Sequence, residues 1–187
     1  MNEEAKLKIT RARIAMIRKQ PFFGMLALRL IMVERTDLNP PTAAVDGRRL
    51  FYHPDWVMNN DQALVESMIA HEVGHCVFDH IGRRQGRQPR RWNYANDYVV
   101  NDVIQDCGFT LGQGWLYSPA FHGKSSDEVY KILPEDPPGD QFDSHFDKVA
   151  GDLDADINTA DWQIAAVQAA TAQKAAGKLP DSLKRFI

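Results

Sequence analysis

The sequence is poor in cysteine: Cys76 and Cys107 are the only two among its 187 residues. They fall in separate predicted elements, and two such residues do not make the disulfide framework of a small secreted protein. Chains without that framework are typical of reducing compartments. We therefore expect a cytoplasmic protein.

A long apolar run and an excess of one charge are also missing. The most apolar window, PFFGMLALRLIMV, is too short to cross a bilayer and contains Arg29. The first twenty residues mix acids and bases and lack the layout of a secretory signal. A net charge of −3 gives no electrostatic footprint for nucleic acid or a membrane surface. We expect neither as a partner.

The composition is that of an ordinary globular domain, with 44% hydrophobic and 25% charged residues. The length favours one domain. We place this domain at residues 1–150 and expect residues 151–187 to form a helical extension packed on it.

Apolar spacing predicts mainly helices. We expect them at about residues 3–19, 21–33, 61–80 and 92–106, with an alanine-rich helix near the end. The first would carry Leu7, Ile14 and Ile17 on one stripe. GRRLFYHP is typical of a short strand, and the basic connection RRQGRQPRR of a solvated loop. An α+β, mainly helical fold with a small sheet follows.

The stretch MIAHEVGHCVFDHIGRR, residues 68–84, places polar groups on a helix that should be buried. His71 and His75 are one turn apart and share a face. Burying them without partners would cost several kcal/mol, roughly. A zinc ion resolves this, because two imidazoles bind it and Glu72 can take a proton from its bound water. H-E-x-x-H on a helix is a fairly specific signal for that chemistry.

A catalytic zinc needs a third protein ligand. His80 is the nearest candidate, but it lies about 140° around the helix from His75 and is better placed to cap the helix end. Asp97 lies 22 residues after His75, early in the next helix, as in thermolysin-like enzymes. We therefore expect Asp97 as third ligand, with His80 as the alternative. Manganese, iron or cobalt could occupy similar ligands.

Five segments together resemble a predicted metal-dependent peptidase domain that often precedes a von Willebrand A-like domain. They are PFFGMLALRL, PPTAAVDGRRLFYHPDWV, AHEVGHCVFDHIGRR, WNYANDYVVNDVIQDCGF and FHGKSSDEVYKIL. The last part of the chain, with FDSHFD and AAGKLPDSLKRFI, resembles stand-alone versions encoded by bacteriophages, which would place the protein in the host cytoplasm.

The resemblance implies a zincin-like α+β fold and hydrolysis of peptide bonds, with the small sheet beside the HExxH helix. It supports Asp97 as a ligand and implies that Asn101 lies behind the ligands and contacts them without binding the metal. It also implies a peptide or protein substrate and, as a separate chain, a von Willebrand A-like or ATPase partner. Two other classes stay open: a metal-binding scaffold without turnover, and a phage assembly protein.

An oxyanion donor and a substrate-binding edge complete the expected site. FDSHFD suggests His145 as the donor, with Asp143 two residues away to orient its ring. His122 is the second candidate and Tyr52 the third. The strand RRLFY would be the edge that binds the substrate backbone in extended form.

Overall fold

A computed structural model describes residues 2–138, 159–175 and 179–184 of the chain. Helices form most of it. They are α1 (Glu3–Lys19), α2 (Pro21–Ala27), α3 (Pro54–Asn59), α4 (Gln62–Val77), α5 (Pro89–Asp106), α6 (Ser126–Ile132), α7 (Thr159–Ala175) and α8 (Asp181–Lys184), with short 3-10 turns at Gly82–Arg84 and Pro119–Phe121. No helix in these ranges has both the length and the hydropathy needed to cross a membrane.

A three-stranded mixed sheet completes the fold. Its strands are β1 (Ile31–Glu34), β2 (Ala43–Val45) and β3 (Arg49–Tyr52). Their order is β1–β3–β2, with β1 parallel and β2 antiparallel to β3. The predicted α+β, mainly helical class is therefore confirmed. The predicted substrate edge is wrong for RRLFY, because β3 is the central strand and both of its sides are already paired.

The first two helices differ from the sequence prediction in a way that shows how the core is built. Leu7, Ile14 and Ile17 are exposed, and the buried side of α1 carries Ala5, Ile9, Ala12 and Met16. The small residues on that side let α1 pack closely on α2 and α4. The helix predicted at residues 21–33 ends at Ala27, because Ile31–Glu34 pairs with β3 as a strand.

The two helices of the predicted site begin at clear local signals. Asp61 caps α4, its side chain accepting the Leu64 N–H at 2.7 Å. Pro89 begins α5, where its fixed φ and missing N–H fit the first helical turn. The sequence predictions for these two helices are confirmed within a few residues. The two helices pack against each other, and α4 also packs against β2.

Helix α7, which follows the undescribed segment 139–158, packs against α2 and α4. Its Trp162 indole donates to the Gly47 carbonyl at 2.7 Å, and the Thr159 hydroxyl donates to Asp79 Oδ1 at 3.1 Å. The domain boundary expected at residue 150 lies outside the described residues and stays a prediction.

Candidate metal centre

Helix α4 is buried on nearly every side, and this is what withdraws its polar groups from water. All residues from Val65 to Val77 are buried. His71, Glu72 and His75 have no exposed surface at all. The imidazole Nε2 atoms of His71 and His75 face each other at 2.9 Å. Two nitrogen donors therefore converge on one point inside the protein.

Helix α5 supplies a carboxylate to the same point. Asp97 Oδ1 lies 3.4 Å from His75 Nε2 and 3.7 Å from His71 Nε2. The three donor atoms all lie within 4.8 Å of one another, and Asp97 is 2% exposed. The structure thus brings together the three residues that the sequence suggested as ligands.

The proton on His71 can be placed from its neighbours. Asn101 Nδ2 donates to the Leu116 carbonyl at 2.9 Å, which fixes the orientation of the amide because a carbonyl only accepts. Asn101 Oδ1 then faces His71 Nδ1 at 2.9 Å and accepts a hydrogen bond from its N–H. The Nε2 lone pair of His71 is consequently directed at His75 and Asp97.

Burial keeps both imidazoles neutral. It lowers the pKa of His71 to about 4, with a further lowering by His75, and it lowers the pKa of His75 to about 3. Burial also raises the pKa of Asp97 to about 7, although His71 partly offsets this. Neutral imidazoles are the form that binds a metal, whereas a proton on Asp97 competes with one.

The donor set fits a divalent cation. Asp97 Oδ1 is buried and has no hydrogen-bond partner within the described part of the chain. The Nε2 atoms of two buried imidazoles lie beside it, and an unpaired buried carboxylate oxygen is costly, so a bound cation would offset that cost. Two nitrogens and one carboxylate oxygen are the ligands of many catalytic zinc sites, which keep a fourth position open.

Glu72 follows His71 directly on α4 and is fully buried. Burial, together with the Glu72 carboxylate, raises the pKa of the Cys76 thiol well above its ordinary value. Neither Glu72 nor Cys76 contributes a donor atom to the cluster of His71, His75 and Asp97.

His80 has neither of the roles expected for it. Its Nδ1 lies 3.1 Å from His75 Nδ1, on the opposite side of the His75 ring from Asp97. Its ring is buried at 1% exposure, so it does not cap the helix end from solvent. Of the two third ligands considered, the structure places Asp97 beside the Nε2 atoms.

Two of the three oxyanion candidates lie among the described residues. His122 Nδ1 contacts Asp102 Oδ1 at 2.8 Å, on another side of α5 from Asp97. Tyr52 pairs in register with Glu34 of β1, and burial, with the carboxylates of Glu34 and Glu3, raises the pKa of its phenol. His145 and Asp143 lie outside the described residues.

Two neighbours of the site were missed in the sequence. The Trp115 ring packs edge-on against His71, with centroids 5.4 Å apart, and Ser126 contacts His80. The sequence gives Trp115 only as part of a glycine-containing loop. A tryptophan in such a loop was the one available signal, since its large apolar surface favours burial.

Gly74 allows α5 to approach the two histidines. A Cβ at residue 74 would lie 2.8 Å from Val100 Cγ1, and Val100 stands between Asp97 and Asn101 on α5. We expect Gly74→Ala to displace α5, weaken zinc binding and cost about 1–3 kcal/mol of unfolding free energy through overpacking. Chelator competition and urea denaturation measure the two effects.

The matched control is the double variant Gly74→Ala with Val100→Ala. It removes the overlapping methyl groups, so it should recover zinc affinity even though it packs less well. Wild-type affinity in Gly74→Ala alone would show that the separation of the helices does not position Asp97.

A family model described as "Putative metallopeptidase domain" matches residues 4–141, which include all three ligand candidates and Glu72. Helices α7 and α8 lie beyond the matched range. No curated protein and no solved structure matches the chain.

Proposed function

The chain belongs to this family of metallopeptidase domains, and from that premise we propose that it hydrolyses peptide bonds with a zinc-activated water. The observation that carries the proposal is the convergence of His71, His75 and Asp97 inside the protein, with Glu72 buried on the same helix as the two histidines. Three protein ligands and an adjacent carboxylate are what such chemistry requires.

When bound, a zinc ion lowers the pKa of a coordinated water towards about 7 and polarises a carbonyl oxygen. His71, His75 and Asp97 would hold it, and Asn101 would keep the His71 ring in the correct tautomer. Glu72 would accept the proton of the attacking water and pass it to the leaving amine. We propose zinc because two imidazoles and a carboxylate are common zinc ligands. The same nitrogen and oxygen donors also suit manganese, iron or cobalt.

Strand β2 is the part of the sheet best placed to hold a substrate. It is an edge strand, it packs against α4, and β3 is its one neighbour among the described strands. A small pocket of about 10 Å³ lies between Gly47, just past β2, and His75. An extended peptide could add to β2 through backbone hydrogen bonds and direct its scissile bond towards the side of α4 that carries His75.

The burial of the cluster favours a second candidate, a metal-binding scaffold without turnover. Structural metal sites are closed, and His71, Glu72 and His75 have no exposed surface. A scaffold, however, has no use for a buried glutamate beside the metal. The two candidates therefore differ in whether Glu72 matters for any measurable reaction.

Metal removal and return test the proposal. The purified protein would be treated with a chelator, reloaded with one equivalent of zinc, and incubated with casein as an unfolded substrate. We expect new peptide termini only in the zinc-loaded sample. Zinc binding without cleavage of casein or of a peptide library would support the scaffold, and no metal binding would contradict both.

Other parts of the proposal come from the sequence. A cytoplasmic location, a stand-alone phage-type form and a separate von Willebrand A-like or ATPase partner stay predictions. Co-purification from the native host tests the partner.

The thiols of Cys76 and Cys107 are both buried, and neither residue is in a disulfide.

A further inference from the structure

A third buried imidazole, that of His80, lies between the candidate metal centre and α6. His80 Nδ1 lies 3.1 Å from His75 Nδ1, and His80 Nε2 lies 3.0 Å from the Ser126 hydroxyl. His80 is 1% exposed and Ser126 is 2% exposed. These residues form an almost fully buried series of contacts from His75 through His80 to Ser126, with one hydrogen bond at each step.

The protons in this series can be assigned. If His75 binds a metal through Nε2, the ring proton of His75 is on Nδ1, and this N–H donates a hydrogen bond to His80 Nδ1. The ring proton of His80 is then on Nε2, and that N–H donates a hydrogen bond to the Ser126 hydroxyl oxygen. We propose that His80 and Ser126 are positioning residues that hold His75 in its metal-binding tautomer and orientation, an inference that rests on the proposed function. Ligand histidines usually donate to a carboxylate, carbonyl or water, so an imidazole acceptor is a distinct solution.

The surroundings of His80 hold it in place. The Trp92 indole donates to the His80 carbonyl at 2.8 Å, and the ring lies edge-on to Phe78 and Trp92. The His80 ring therefore has a fixed backbone and fixed apolar walls. Its two nitrogens are left to contact His75 and Ser126.

The basic connection between α4 and α5 holds Ser126 in place. Arg83 and Arg87 each contact the carboxylate of Asp127, at 2.5 and 2.6 Å. Asp127 follows Ser126 directly in the first turn of α6, and Ser125 and Glu128 form a capping box there. The connection is a loop of exposed and half-buried residues, as the sequence predicts, and two of its arginines also hold α6 against the His80 side of the site.

Two substitutions of similar size separate a positioning role from simple packing. An asparagine at residue 80 places its amide oxygen where Nδ1 lies and can still accept from His75. A glutamine places its amide near the position of Nε2 and can contact only Ser126. We expect His80→Gln to weaken zinc binding about 10- to 100-fold, the usual cost of losing a partner of a ligand. His80→Asn should stay close to wild type.

Zinc affinity measured by competition with a fluorescent chelator gives this comparison without an activity assay. Equal affinities in the two variants, whether both near wild type or both reduced, would overturn the proposal. So would tighter binding by His80→Gln than by His80→Asn. Absence of zinc binding in the wild type would overturn the proposed function as well, so the two failures are distinguishable.

Ring nitrogen chemical shifts test the proton assignment in the unmodified, zinc-loaded protein. Long-range proton–nitrogen correlation spectra distinguish the two neutral tautomers of each histidine. We expect His75 protonated at Nδ1 and His80 at Nε2. A proton on Nδ1 of His80 would overturn the assignment, whatever the variants do.

Discussion

Glu72→Gln is expected to reduce peptide hydrolysis by about 10²- to 10⁴-fold, the range that general acid–base catalysis contributes. The amide is nearly isosteric with the carboxylate but cannot accept the proton of the attacking water. Glu72 is not among the three residues whose donor atoms converge. Zinc content should therefore stay at the wild-type level while turnover of casein is lost.

Glu66→Gln is the matched control for this experiment. Glu66 lies on the same helix, is buried to a similar degree, and forms an ion pair with Lys19 at 3.1 Å, away from the metal centre. Its change should leave turnover near wild type. Retention of activity in Glu72→Gln would contradict a role for Glu72 as the base, and an equal loss in both variants would indicate damage to α4.

Asp97→Ala is expected to have the largest effect on metal binding. It removes one of three converging donors, so the loss of zinc affinity should exceed the about 10- to 100-fold typical of an outer partner. Hydrolysis should be lost with the metal. Mass spectrometry of purified protein and chelator competition measure the loss.

Asp102→Asn is the control for Asp97→Ala. Asp102 is equally buried on α5, but it accepts hydrogen bonds from His122 and from the Gly123 N–H. Its change should lower stability and leave zinc affinity intact. If Asp102→Asn lost the metal as well, the effect of Asp97→Ala would reflect distortion of α5.

The neutral variant Asp97→Asn tests what the buried carboxylate costs in stability when no metal is bound. Burial raises the pKa of Asp97 to about 7 from an ordinary value of 3.8. Between about pH 4 and pH 7 the folded protein therefore keeps a proton that the unfolded chain has lost, so this group makes the free energy of unfolding fall as pH rises. Above pH 7 the cost of the buried charge is fully expressed. Asp97→Asn should be more stable than wild type there, in urea denaturation without metal.

Helices α4 and α5 were predictable because their determinants are local. The cap at Asp61 and the apolar spacing within each helix are contained in short windows, whereas α5 begins at Pro89, three residues before the predicted Trp92. The same spacing puts His71 and His75 on one face, whatever the rest of the chain does. Asp97 could be suggested from its distance along the chain and from the need for a third ligand.

The errors concern elements whose state depends on distant partners. Ile31–Glu34 continues an apolar run that suits a helix, and it becomes a strand because β3 lies beside it. The buried side of α1 uses Ala5 and Ala12, since close packing against α2 and α4 selects small residues there. The central position of β3 could not be read from its sequence, because strand order is a property of the whole sheet.

By itself, then, the sequence determined the helix that carries His71, Glu72 and His75, and it suggested the metal chemistry that we propose for these residues. Only the tertiary structure decided that Asp97 lies beside the imidazoles and that His80 contacts the opposite side of His75. Helical periodicity fixes angles within one helix, whereas the approach of α5 depends on Gly74 and Val100 meeting across two helices. The contact of Ser126 with His80 spans 46 residues and follows from arginines that no local pattern connects to the site.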